Sequence, residues 1–169
     1  MALFSKPIKT LDDLFVHTLE DMYYAEKAIA KSLPKMAQKA GQAELRQAFE
    51  KHLTETQNQI ARLEQVFKMH GVPAKGANCP AIDGIIEEAE ELISDVSDPE
   101  VLDAGLISSA QAVEHYEITR YGTLSAFARR LGRDDCSRLL EQTLAEEKAT
   151  DKKLTELAER KVNQRAAAE

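Results

Sequence analysis

The chain has 169 residues, about one domain's length, and is 43% hydrophobic, 30% charged and 5% aromatic, with seven Gly, five Pro and no Trp. This disfavours sandwiches and barrels, which need many short β-branched or aromatic strands cut by Gly and Pro, whereas 24 Ala among abundant Leu, Glu, Lys and Gln favour helix. A net charge of −7 without a Lys/Arg stripe argues against a nucleic-acid partner, and no apolar stretch nears the roughly 20 residues that cross a membrane.

The opening residues Met1 to Pro7 lack the apolar run of an export signal, so a cytoplasmic protein is expected. Cys79 and Cys136 lie far apart and offer no metal-ligand spacing. Both read as inert or incidental thiols, Cys136 being the more reactive because it sits near a helix start.

The first long helix is predicted over 10–40. Thr10 and Asp13 have capping-box spacing, and Leu11, Leu14, Phe15, Thr18, Met22, Ala25, Ile29 and Leu33 form one stripe at steps of three and four. Pro34 predicts a kink or break near its end. The second helix, 42–70, stops at Gly71-Val72-Pro73, with Leu45, Phe49, Leu53, Thr56, Ile60, Leu63 and Phe67 inside.

Residues 72–98 form a connection of 27 residues holding a short helix over 80–94. The seven acids between Glu87 and Glu100 read as a solvated face. The third long helix, 99–131, opens with an Asp98 N-cap and Pro99 at its first position and closes at Gly132; the fourth runs 134–162, before an Ala/Arg tail. Two helical hairpins joined by a long connection make 1–169 one all-α domain: a four-helix bundle with one crossover containing a short fifth helix, the connectivity of ferritin-like folds.

A helix turns about 100° per residue, so each acid can be set against its own apolar stripe. Glu117 falls at the centre of the third helix's inner face, and Glu114 at its edge one turn earlier. Glu147 and Asp151 interrupt the inner face of the fourth helix, and Glu26 lies about 60° from the first helix's stripe centre. On the second helix Thr56 is central, His52 and Gln59 flank it, and Glu55 lies further round. All these acids are mid-helix, so in a bundle they converge on one layer.

Ionised carboxylates taken from water lose several kcal/mol each and repel one another. Lys and Arg are scarce on the inner faces, leaving shared protons, a hydrated cavity or bound cations to neutralise the layer. Two divalent metals answer the charge best, and hard oxygen ligands suit iron or manganese.

The third helix, Glu114-His115-Tyr116-Glu117 through Gly122-Thr123-Leu124, resembles that of rubrerythrin-type proteins with its Glu-x-x-Glu ligands. The whole of 8–160 is similar to the YciF/YciE-type ferritin-like family of bacterial stress responses. The segments carrying that likeness are Met22 to Lys27 with Leu33 to Met36, His52 to Thr56 with Arg62-Leu63-Glu64, and Leu144 to Asp151.

The resemblance implies metal ligation by Glu26, Glu55, Glu114, Glu117 and Glu147, a small homodimer, and a dimetal centre reacting with oxygen or peroxide or oxidising iron. Glu146 or His115 would then serve proton transfer. Rubrerythrin-like sites carry Glu-x-x-His on the second and fourth helices. Here Asn58 or Gln59 and Thr150 or Asp151 stand in those places, and His52 can substitute. Tyr121, on the inner face one turn after Glu117, reads as a core tyrosine or a redox neighbour of the metals, and Gly122 as a packing relief or a bulge. His115 points away from the inner stripe, while His17 and His70 carry no signal. The alternative is a structural or interaction bundle whose central acids hold protons and water around a degenerate site.

Overall fold

The computed structural model describes residues 7–168. Residues 1–6, part of the segment read as lacking an export signal, and Glu169 lie outside the described residues. Four long helices dominate: α1 Leu11–Lys39, α2 Ala43–His70, α4 Pro99–Arg130 and α5 Asp134–Leu157. The short α3, Pro80–Asp95, lies in the connection between α2 and α4. After α5 comes one π-turn, Ala158–Val162, and a final helical turn, α6 Asn163–Ala166. The fold is all-α, a ferritin-like four-helix bundle with a long crossover.

The helix ends follow their chemistry. The Thr10 hydroxyl accepts from the Asp13 amide at 3.0 Å while the Asp13 carboxylate accepts from the Thr10 amide at 3.0 Å, closing a capping box. Asp98 accepts from the amides of Glu100 and Val101, both at 2.9 Å. Gly71 ends α2 at φ 81°, a left-handed conformation that costs glycine nothing.

At the α1–α2 corner the cap comes from another helix. Gln42 supplies no capping bond, and the buried Asp103 carboxylate of α4 accepts instead from the amides of Gly41 at 2.8 Å and Gln42 at 2.9 Å. Sequence reading did not single out Asp103, although its spacing to Leu106, Ile107 and Ala110 places it on α4's apolar stripe.

α1 runs through Pro34 without a break, the exposed ring costing the helix one backbone bond. α4 is regular through Gly122, and the π-turn falls at Ala158–Val162 instead.

Long-range bonds set the helix directions. Tyr121 to Glu26 and Asp103 to Gly41 make α4 antiparallel to α1, while Gln59 to Glu147, Arg62 to Thr143 and Arg160 to Glu44 make α5 antiparallel to α2. With both hairpins antiparallel, every neighbouring pair runs oppositely, and α2 faces α4 across a diagonal. α3 packs on α4 and α1.

Apolar layers close the bundle at both ends. Phe15, Leu19, Leu63, Phe67, Leu124 and Leu140 fill one, while Met36, Leu45, Leu106 and Leu154 fill the other. Each fully buried side chain of this kind contributes about 1.5–3 kcal/mol. Between them lies a polar layer. Among the described residues no helix is long and apolar enough to cross a membrane.

Candidate metal centre

Six helical positions point buried polar groups into this middle layer. Glu26 comes from α1, His52 and Gln59 from α2, Glu114 and Glu117 from α4, and Glu147 from α5; Glu26, Gln59, Glu117 and Glu147 are all 0% exposed. Glu114 and Glu117 share a face because residues three apart on a helix are neighbours. One carboxylate oxygen each from Glu114, Glu117 and Glu147 and one ring nitrogen of His52 lie within 4.8 Å of one another. That is close to the about 4 Å separating opposite ligands on a single hard cation.

The layer is short of hydrogen-bond donors. Both Glu117 oxygens, one oxygen each of Glu26, Glu114 and Glu147, and both His52 nitrogens are buried without a hydrogen bond. Tyr121 donates to Glu26, and Gln59 donates to Glu147. Glu26 lies against Glu117 and Glu114 against Glu147, pairs that bond only when a proton sits between the two carboxyls. His52 Nε2 stands 3.2 Å from Glu114 Oε1, also without a hydrogen bond.

Burial and crowding suppress ionisation. Burial first, then the Glu147 charge, pushes Glu26 up to about 8. Burial also raises Glu147 to about 7 against the lowering effect of bonds from Glu114 and Gln59. Glu114 rises to about 11 through burial and the adjoining Glu147, and Glu117 rises well above the usual range through burial and the Glu26 and Glu147 charges. Burial lowers His52 to about 4, so its imidazole is neutral at pH 7 with a lone pair free to coordinate.

The chemistry of this donor set fits a cation. Crowded carboxyls with orphaned oxygens and one neutral imidazole are costly when bare and are the ligands hard divalent ions take. A buried His/Glu group able to hold a metal ion is therefore present, made of His52, Glu114, Glu117 and Glu147, with Glu26 against it.

Of the other candidates, Glu55 and Asp151 lie at the rim and Tyr121 lies inside. Glu55 is a quarter exposed and pairs with Lys51, and its Oε2 is 4.0 Å from His52 Nδ1. Asp151 accepts from Gln111 at 3.0 Å and faces the exposed His115 at 3.3 Å. Tyr121 is fully buried on Glu26, and burial with that neighbouring charge drives its phenol well above its ordinary value.

Glu146 is clamped by Arg62, whose Nη2 donates to Oε1 at 2.9 Å and whose Nη1 donates to Oε2 at 3.0 Å. Gln59 donates to Glu146 at 3.0 Å as well as to Glu147, so Arg62, Glu146 and Gln59 form a chain that holds Glu147 in place. Residue type alone did not reveal this chain. The available signal was the spacing of Gln59 and Arg62 on α2 against Thr143 and Glu146 on α5.

Outside the layer, His70 is a structural residue, 2.9 Å from Asp12 and edge-on to Phe15 at 5.0 Å. His17 pairs with Asp21 at 3.6 Å. Cys136 is buried and its thiol is pushed up by burial. Cys79 is also buried, 3.0 Å from the Tyr116 hydroxyl.

Comparison with known proteins agrees with the fold. Residues 10–167 match the family described as a domain of unknown function, DUF892. The chain is 48% identical over 160 residues to protein YciF of Escherichia coli strain K12, covering 94% of this chain and 96% of that protein. The crystal structure of the E. coli stress protein YciF superposes with a TM-score of 0.89 at 48% identity, covering 92% of this chain and 99% of that one. YcfI of Rhodopseudomonas palustris, described as a proposed structural protein, superposes with a TM-score of 0.88 at 54% identity, covering 90% and 98%. The chain belongs to the DUF892 family, whose members include the stress protein YciF.

Proposed function

We propose that this chain is a ferritin-like dimetal carboxylate protein, acting in stress response by reacting with oxygen or peroxide or by oxidising iron. The observation that carries this reading is the set of orphaned oxygens on Glu26, Glu114, Glu117 and Glu147, with an unbonded His52 imidazole among them. Two divalent ions, iron foremost and manganese next, would supply a Lewis-acidic, redox-active centre for the oxidant.

The chain's own residues do the rest. Glu114, Glu117, Glu147 and His52 would hold the cations, with Glu26 beside Glu117 as a further carboxylate ligand. Tyr121 orients Glu26, and the Arg62–Glu146–Gln59 chain orients Glu147. Glu147, raised to about 7, can hold or release a proton at its carboxylate near neutral pH. The end layers of Leu and Phe keep bulk water from both ends of the centre. Glu55, on the rim, is placed to join from the His52 side after leaving Lys51. The family likeness makes a cytoplasmic homodimer the proposed assembly.

A structural bundle is the second reading, favoured by the description of the R. palustris relative and by Gln59 standing where related sites carry histidine. Titrating metal-free protein with Fe(II) and with Mn(II), and counting tightly bound ions per chain, separates the two. Two ions per chain are expected, and fewer than one would leave the structural reading. Stopped-flow mixing of the iron-loaded protein with oxygen and with peroxide then ranks the chemistries.

A further inference from the structure

A narrow hollow runs inward from the surface among α1 to α5 and ends on the centre. Exposed Lys35, Lys51, Glu90 and Lys153 stand at its mouth, and His52 and Glu114 form its floor. Between mouth and floor the walls are chiefly apolar, including Leu33, Met36, Phe49, Ala110, Val113 and Leu154, with the hydroxyls of Ser32, Ser109 and Thr150 among them. Lys35 of α1 pairs with Glu90 of α3 at 3.2 Å, which ties the mouth across two helices, and Lys51 pairs with Glu55 along α2.

Size selects the guest. The hollow measures about 50 Å³, a third of the roughly 150 Å³ apolar cavity that accepts benzene. It therefore admits a molecule of two or three heavy atoms and excludes rings and alkyl chains. Wall chemistry selects further. A water or a hydrogen peroxide needs several polar partners, and between mouth and floor only the hydroxyls of Ser32, Ser109 and Thr150 break the apolar stretch. A ferrous ion would have to shed its hydration shell there, at a large cost. Dioxygen is small, neutral and weakly hydrated, and it meets none of these penalties.

We propose that this hollow is the passage by which dioxygen reaches the His52–Glu114 side of the centre, metal ions entering elsewhere. The proposal rests on the metal-centre reading above. Ala110 narrows the deep part of the passage from α4, and Ala89 the outer part from α3. Enlarging either closes it without touching a ligand.

The test uses xenon, which settles in dry apolar cavities, on crystals of the wild-type protein and of Ala110→Leu and Ala89→Leu. Xenon is expected in the wild-type hollow and absent from the variants, with Fe(II) bound per chain unchanged in all three. In solution the iron-loaded variants should react with dioxygen about tenfold more slowly, with a much smaller loss toward peroxide. Either variant that folds suffices.

Absence of xenon from the wild-type hollow, with iron bound, overturns the passage and leaves the metal centre standing. A xenon-free variant that reacts with dioxygen at the wild-type rate does the same. Equal slowing with peroxide overturns the choice of dioxygen as the guest. Failure to bind iron at all overturns the metal-centre reading, and the passage with it, even with xenon seated.

Discussion

His52 Nε2 of α2 and Glu114 Oε1 of α4 face each other at 3.2 Å across the bundle diagonal without forming a hydrogen bond. With both His52 nitrogens and the Glu114 Oε2 left without a hydrogen bond, this close buried pair is arranged to share a third atom. His52 is the nitrogen ligand in an otherwise oxygen-only set, and imidazole suits iron better than manganese. His52→Ala should weaken Fe(II) binding about 10–100-fold and Mn(II) binding less, as read by calorimetric titration. Equal losses for the two metals would place His52 outside the coordination set.

Glu117 is fully buried and neither of its oxygens has a donor. Burial already suppresses its ionisation and a neutral amide of the same shape adds no charge to desolvate, so metal-free Glu117→Gln should melt at or above the wild-type temperature. Saturating Mn(II) should raise the wild-type melting temperature, because the ion binds only the folded chain, and should leave Glu117→Gln nearly unmoved. Scanning calorimetry with and without Mn(II) gives all four values.

The stability of the metal-free protein should fall as pH rises. Glu147 at about 7, Glu26 at about 8 and Glu114 at about 11 all lie above the unfolded value near 4.5, so the folded state holds protons that the unfolded chain has lost. Their contribution is complete below the unfolded value and disappears as each folded value is passed. His52, lowered to about 4, opposes this only below its unfolded value near 6.5, where stability gained from its neutral form is lost as pH falls. Urea unfolding between pH 6.5 and 9 should therefore show a steady decline. Bound metal, which replaces those protons, should flatten it.

Gln59→Leu removes the donor that bridges Glu146 and Glu147 while leaving every proposed ligand in place. Metal affinity should drop about 10–100-fold through loss of Glu147 orientation. Retention of wild-type affinity would show that Glu147 is held by packing alone.

Asp103→Ala strands the amides of Gly41 and Gln42 at the start of α2 and should cost about 1–3 kcal/mol in urea unfolding. The slope with denaturant should stay unchanged.

The fold was legible because its punctuation is local. The Thr10–Asp13 box, Asp98-Pro99 and the left-handed Gly71 act through bonds within a few residues, and the apolar stripes need only helical periodicity. Asp103 was missed because its partners are 61 and 62 residues away, although the wheel that found Glu117 also puts Asp103 inside. On α2 the wheel ranked His52 and Gln59 more central than Glu55, whereas resemblance favoured Glu55; the structure buries the first two and leaves Glu55 on the rim. Rotation about the axis is set by the chain's own pattern. How a side chain like Arg62 reaches Glu146 depends on the offset between two helices, which one helix's sequence does not encode.

Because each long helix runs opposite to both of its neighbours, their macrodipoles lie head to tail side by side and largely cancel. The acid layer also sits near the midpoints, about 20 Å from any terminus at a rise of 1.5 Å per residue, and terminal partial charges act only over the final turn. The backbone thus lends these carboxylates no positive field. Beyond the Tyr121 and Gln59 donors and the Arg62 charge nearby, hydrogen ions or dissolved cations are what remains to balance the waist of this bundle.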